Sequence, residues 1–177
     1  MVVKKSETAK FADALKKFLP DVTVKIVHGG KTRMHSVVNG LAALPGTAKF
    51  AAVHDAARPL ATAKLLLSSY EAARKHGAAV TAKRLTDTVK HADGKYFVIK
   101  TLDRSNLWRV ETPQVFPIAA LRAAYKKAFS EKLVLTDDSA VMENVGHKPF
   151  LFEYKLPNLK ITYPGDLEIA GMHLLSS

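Results

Sequence analysis

Cysteine is absent from the 177 residues, and with it any disulfide framework or thiolate metal site. Long apolar runs are absent too. No stretch approaches the roughly 18 residues that a membrane-crossing helix needs, and the leading MVVKKSETAK has no signal-peptide core. Acidic residues are scarce, 16 against 27 Lys and Arg, which leaves a formal net charge of +11. Such a surplus points to anionic partners. The cations are dispersed, however. Lys4-Lys5, Lys16-Lys17 and Lys126-Lys127 are only short pairs, and no basic run is interleaved with aromatics, so nucleic acid is not expected as a partner. The seven histidines show no metal-ligand spacing, and no protein-held metal is expected. These absences lead to an expected soluble, cytoplasmic protein that binds neither nucleic acid nor membrane.

What is present supports a folded domain. At 47% hydrophobic residues the chain can build a sizeable core, and no linker or repeat interrupts residues 1–177, read as one domain. Ser6 is expected to cap a helix carrying Phe11, Leu15 and Phe18, with Pro20 closing it. Val22 to Val27 is β-branched and strand-like, ending at Gly29-Gly30. A helix then holds Val37, Val38, Leu41 and Leu44. Phe50 to Val53 makes a short strand that ends in His54-Asp55. A helix from about Thr62 to His76 stops at Gly77, and Ala78 to Thr81 forms the next strand. Ile118, Leu121, Tyr125 and Ala128 stripe another helix, Thr136 or Asp137 begins one more, and the last runs from Pro164 to Leu175. This alternation predicts a three-layer α/β fold, Rossmann-like, with a mostly parallel sheet covered by helices on both faces. Ligands in such folds collect at the carboxyl ends of strands, where Gly29-Gly30 and His54-Asp55 fall.

One stretch departs from the alternation. Two β-prone runs, Thr86 to Lys90 and Lys95 to Lys100, flank His91-Ala92-Asp93-Gly94, and Asp-Gly there is a hairpin signal. A hairpin inserted in such a domain is expected to project as an arm, residues 86–104, that joins two copies of the chain.

His54-Asp55-Ala56-Ala57-Arg58-Pro59 places a carboxylate and a guanidinium at a strand end, with two alanines that leave room for a ligand. An Asp–Arg pair that merely fixes a loop is the plainer alternative. Gly29-Gly30-Lys31-Thr32-Arg33-Met34-His35-Ser36-Val37 is a loop feeding a helix, whose N-terminus attracts anions; alone, it is as easily a turn.

Taken together the segments resemble one family. Gly29-Gly30-x-Thr32-Arg33-x-x-Ser36-Val37-x-x-Gly40-Leu41, His54-Asp55-Ala56-Ala57-Arg58-Pro59, Asp87-Thr88-Val89-Lys90, and Thr101-Leu102-Asp103-Arg104-Ser105-x-Leu107-Trp108 come first. Thr112-Pro113-Gln114-x-Phe116, Thr136-Asp137-Asp138 and Asn158-x-Lys160-Ile161-Thr162 follow. In order and spacing these resemble the 2-C-methyl-D-erythritol 4-phosphate cytidylyltransferases. The ribitol 5-phosphate cytidylyltransferases usually carry Gly-Val where Ala56-Ala57 stand, and a noncatalytic binding module of the same fold is the other alternative.

The resemblance implies a nucleotidyltransferase fold and transfer of CMP from CTP to 2-C-methyl-D-erythritol 4-phosphate, with Mg2+ carried mainly by the CTP phosphates. It implies that Gly30 and Ser36 contact the cytosine, and that Asp55 and Ala56, the latter with the nucleotide, hold the hydroxyls of ribose and polyol with Arg58 beside them. Thr112 and Thr136 would meet the polyol, and Lys160 would sit at the phosphate beside the reacting centre. Thr88 and Arg104 would reach the partner's site in a homodimer, Arg104 with its fork on phosphate oxygens. Gly30, Asp55, Thr136 and Lys160 are expected to converge on one sheet edge. The family's Ala-Ala-Gly-x-Gly-x-Arg loop, which wraps the triphosphate, has no counterpart in the 177 residues. The chain is therefore expected to be an N-terminally truncated form with little activity of its own.

Overall fold

The computed structural model describes residues 1–175, and packing divides them into residues 1–51 with 117–147 and residues 52–116 with 148–175. In the first unit, Val2–Val3 (β1) pairs in parallel with Val27–His28 (β2). Residues 22–26 carry strand-like side chains but join no ladder, because β1 offers only two residues to pair with. Ser6 is not a cap. It lies in a 3-10 turn, Lys5–Glu7, and the helix Thr8–Phe18 (α1) follows from Thr8 with no side-chain cap.

Thr32 caps the next helix, Arg33–Ala42 (α2), by accepting from the His35 amide. The helix ends before Leu44. Ile118–Ser130 (α4) buries Ile118, Leu121, Ala124, Tyr125 and Ala128, the stripe that its 3.6-residue period predicts. Asp138–Glu143 (α5) starts at Asp137, whose carboxylate accepts from the Ala140 amide, so the cap is Asp137 and not Thr136.

Asp138, the first residue of α5, is fully buried. Arg33 donates to its Oδ2 at 2.5 Å, and the Tyr125 hydroxyl donates to its Oδ1. A buried carboxylate is tolerated when both oxygens are met in this way. Three segments are thereby tied together: the start of α2, the middle of α4 and the start of α5. Burial, reinforced by the neighbouring Asp138 charge, pushes the Tyr125 hydroxyl pKa up, so it stays a donor.

Phe50–Val53 (β3) leads into the second unit. There Ala63–His76 (α3) is capped by Thr62 and stopped by Gly77, whose φ of 88° suits glycine. Ala79–Arg84 (β4) is the buried centre of a four-stranded sheet in the order β3, β7, β4, β8, where β7 is Trp108–Pro117 and β8 is Phe150–Glu153. The α/β expectation holds, with a mixed sheet: β4 runs parallel to β8 and antiparallel to β7. Ser69 of α3 and Thr81 of β4 hide their hydroxyls by bonding the Leu65 and Pro113 carbonyls. Pro164–Leu175 (α6) ends the described chain.

The arm is a hairpin of Lys90–Ala92 (β5) and Val98–Thr101 (β6). Its tip is wider than a two-residue Asp-Gly turn. Asp93 Oδ1 accepts from the amides of Lys95 and Phe97, and Tyr96 takes a left-handed φ of 68°. Tyr96 and Phe97 are therefore tip residues and do not alternate across the strand. Tyr96 is 93% exposed.

These burials set a contrast in stability. Leu121→Ala is expected to cost about 2–5 kcal/mol, and Tyr96→Ala to stay within about 0.5 kcal/mol of the native chain, both read from urea midpoints.

Candidate active site

Within the second unit, Asp55 lies two residues beyond β3, and its Oδ2 meets Lys160 Nζ at 3.0 Å and Arg58 Nε at 3.7 Å. The side chain of Arg58 is 9% exposed and that of Lys160 50%, so one cation is built in and the other opens to solvent. Residues 55, 58 and 160 come together from segments about a hundred residues apart because the Ile161 amide bonds the Ala57 carbonyl at 2.8 Å. Arg58 Nη1 adds a 2.6 Å bond to the Asn158 carbonyl. Of the residues that the sequence expects at one sheet edge, Asp55 and Lys160 lie in this unit, and the structure brings them together with Arg58. Ala56 is exposed beside them.

Thr112, buried in β7, turns its hydroxyl to this loop. Its Oγ1 accepts from the Asp55 amide at 3.0 Å and lies 3.0 Å from His54 Nδ1. The hydroxyl expected to meet a polyol thus fixes the backbone that carries Asp55. His54 drew no role from the sequence, although its place between a strand and Asp55 was a signal. Burial lowers its pKa, and the Arg58 main chain and the Asp55 charge, which pull upward, do not offset it.

Thr88 and Arg104 lie at the base of the arm and are exposed. Arg104 Nη1 donates to the Thr86 carbonyl, closing the base of its own arm. Beside it Asp103 bonds the amide and hydroxyl of Ser105, and makes no ion pair with Arg104. Those hydrogen bonds lower the Asp103 pKa.

The first unit holds a polar loop. The Gly30 amide donates to Ser36 Oγ at 3.1 Å, and that hydroxyl donates to the Thr32 carbonyl at 3.0 Å. Gly30 is obligatory here, since a Cβ on it would stand 2.3 Å from the Cβ of His35. Thr136 is exposed and leaves the α5 cap to Asp137.

The arrangement is cationic and anion-directed, with one carboxylate, Asp55, placed to orient its cations. Among the described residues no group of three His, Cys, Asp or Glu could cage a metal. An ion brought by a nucleotide's phosphates suits this donor set, because Mg2+ commonly binds one or two carboxylates plus phosphate.

The depressed His54 pKa has a pH consequence. A histidine of ordinary pKa near 6.5 takes up protons in the unfolded chain before it does so in the folded one. Stability should then be full above that value and fall as pH drops toward the lowered folded pKa. Urea midpoints at pH 7.5 and 5.5 check this, and His54→Gln should flatten the difference.

Comparison with known proteins identifies a family. Residues 1–176 match the family described as IspD, 2-C-methyl-D-erythritol 4-phosphate cytidylyltransferase. A cytidylyltransferase of that name from Caldanaerobacter subterraneus is 39% identical over 162 residues, 92% of this chain and 71% of the relative. One from Geobacillus kaustophilus is 38% identical over 176 residues, 99% of this chain and 76% of the relative. The crystal structure of 4-diphosphocytidyl-2C-methyl-D-erythritol synthase from Anaerococcus prevotii superposes with a TM-score of 0.87 at 32% identity. It covers 98% of this chain and 80% of that one. On the motifs, the fold and these likenesses together, the chain belongs to the 2-C-methyl-D-erythritol 4-phosphate cytidylyltransferase family.

Proposed function

We propose that this chain transfers CMP from CTP to 2-C-methyl-D-erythritol 4-phosphate, giving 4-diphosphocytidyl-2-C-methyl-D-erythritol and pyrophosphate. The observation that carries this reading is the Asp55 carboxylate facing Lys160 at 3.0 Å and Arg58 at 3.7 Å. A phosphate oxygen of the acceptor attacks the α-phosphorus of CTP, and the bond to the pyrophosphate oxygen breaks. Negative charge gathers on the phosphoryl oxygens, so the protein's contribution is to position the reactants and to supply aimed cations.

Lys160 serves as the point charge at the reacting phosphate, since its side chain is half exposed and Asp55 holds its ammonium at 3.0 Å. Asp55 and Ala56 also hold hydroxyls, with Arg58 alongside. Gly30 and Ser36 read the cytosine, and Thr112, Thr136 and Thr88 complete the acceptor's surroundings. Mg2+, bound through the CTP phosphates, would neutralise charge on them. No described helix is long and apolar enough to cross a membrane, and a cytoplasmic workplace belongs to the same proposal.

A homodimer joined through the arm completes the reading. Tyr96, Phe97, Val98 and Ile99 are between 57% and 93% exposed, so the hairpin presents apolar surface that a second copy could cover. Arg104 would exchange its Thr86 carbonyl for acceptor phosphate on the partner.

Two experiments test this. Extending the chain at its N-terminus with the glycine-rich loop segment of a relative should yield CMP transfer, with residues 1–177 alone at least about a hundredfold slower, as for loss of an oxyanion donor. Equal turnover by the two would overturn the dependence on that loop, and no transfer by either would overturn the activity. In the extended chain, mixing Arg104→Ala subunits with Lys160→Met subunits should restore part of the activity if the site is shared. No restoration despite subunit exchange would confine Arg104 to its own site.

A further inference from the structure

The segment that carries Lys160 has no sheet or helix to hold it. Between Glu153 at the end of β8 and Pro164 at the start of α6, the chain has no regular structure. It is held by single hydrogen bonds, the Tyr154 amide to the Ala82 carbonyl at 3.2 Å, Lys83 Nζ to the Leu156 carbonyl at 2.7 Å and Arg58 Nη1 to the Asn158 carbonyl at 2.6 Å, and by the side chain of Asn158, which is 2% exposed. Asn158 Nδ2 donates to Glu111 Oε2 at 3.0 Å and to the Thr112 carbonyl at 2.8 Å, which uses both amide protons. Glu111 is itself only 3% exposed in β7, and its other oxygen accepts from Arg109 at 3.1 Å. Glu111 thus spends a buried charge on a side-chain amide, an arrangement that core packing alone does not call for.

We infer that Glu111 and Asn158 are positioning residues for Lys160: the Glu111 carboxylate fixes the Asn158 amide, and Asn158 fixes the backbone from which Lys160 reaches Asp55. This rests on the reading of Lys160 above only for its functional meaning. The mechanics are local. The Asn158 side chain pins one end of a four-residue span to β7, and the Ile161 amide pins the other end to Ala57. Lys160 lies between the two anchors, and its ammonium falls 3.0 Å from Asp55. Asparagine is the fitting residue because it offers two donors to two acceptors. Aspartate at 158 would lose both donors and set a second carboxylate against Glu111.

The test reads the Lys160 ammonium in the 177-residue chain labelled with 15N-lysine, its NMR signal assigned by Lys160→Met. In the native chain the paired ammonium should give a resolved, slowly exchanging resonance. Asn158→Ala and Glu111→Ala should each abolish it while the backbone amide signals of β4 stay in place. Glu111→Gln, which keeps an acceptor for Asn158 without the charge, should retain it. A Lys160 signal that survives both alanine variants overturns the inference. So does collapse of the fold in both, which would make the pair a determinant of folding and not of position. Failure of the functional reading shows separately, as undiminished CMP transfer by Lys160→Met in the extended chain, and leaves the ammonium result standing.

Discussion

A carboxylate withdrawn from water must be met by donors on its oxygens, and in each unit that requirement orders parts of the chain that local propensity would leave apart. Asp138 does this in the first unit, where Arg33 and Tyr125 converge on it from α2 and α4. Glu111 does it in the second, where Arg109 and Asn158 share its two oxygens. Unpartnered, such a group costs several kcal/mol. Alternative packings that break these bonds are therefore disfavoured. The same physics operates at the surface in milder form at Asp55, whose exposed partner Lys160 can leave without burying a lone charge.

This division between built-in and available charge makes chemical sense for phosphoryl transfer. Arg58 is sunk into the loop, with its Nη1 bonded to the Asn158 carbonyl, and its role is to hold the geometry. Lys160 is half exposed and paired with Asp55 through its ammonium, on a backbone root that is fixed. Thr112 of β7 and His54, which follows β3, hold the backbone of Asp55 on the other side.

Much of the fold was legible because its signals are local. Thr62 and Gly77 bracket α3 by capping chemistry, the Ile118 to Ala128 stripe marks α4, and Asp93-Gly94 marks the arm. Elements that depend on a pairing partner are not encoded locally. Val22 to Ile26 has strand composition but finds no ladder to join, and Ser6 yields to a 3-10 turn. At the site, Asp55, Arg58 and Lys160 could be named from motifs. The roles of Glu111 and Asn158 could not be read the same way. They depend on a contact across 47 residues between a strand and an irregular segment, and no periodicity encodes that. The left-handed Tyr96 was equally hidden, since Asp-Gly suggested a tighter turn than the one that Asp93 organises.

The arm has one more consequence. Every residue from 90 to 101 is exposed, and its two short strands pair only with each other. Nothing in the buried core registers whether they are paired or open, so the hairpin is a low-stability opening unit on its own hydrogen-exchange clock. Mutational drift in the arm is therefore nearly invisible to the fold. Substitutions at its apolar tip leave the sheet beneath it unchanged.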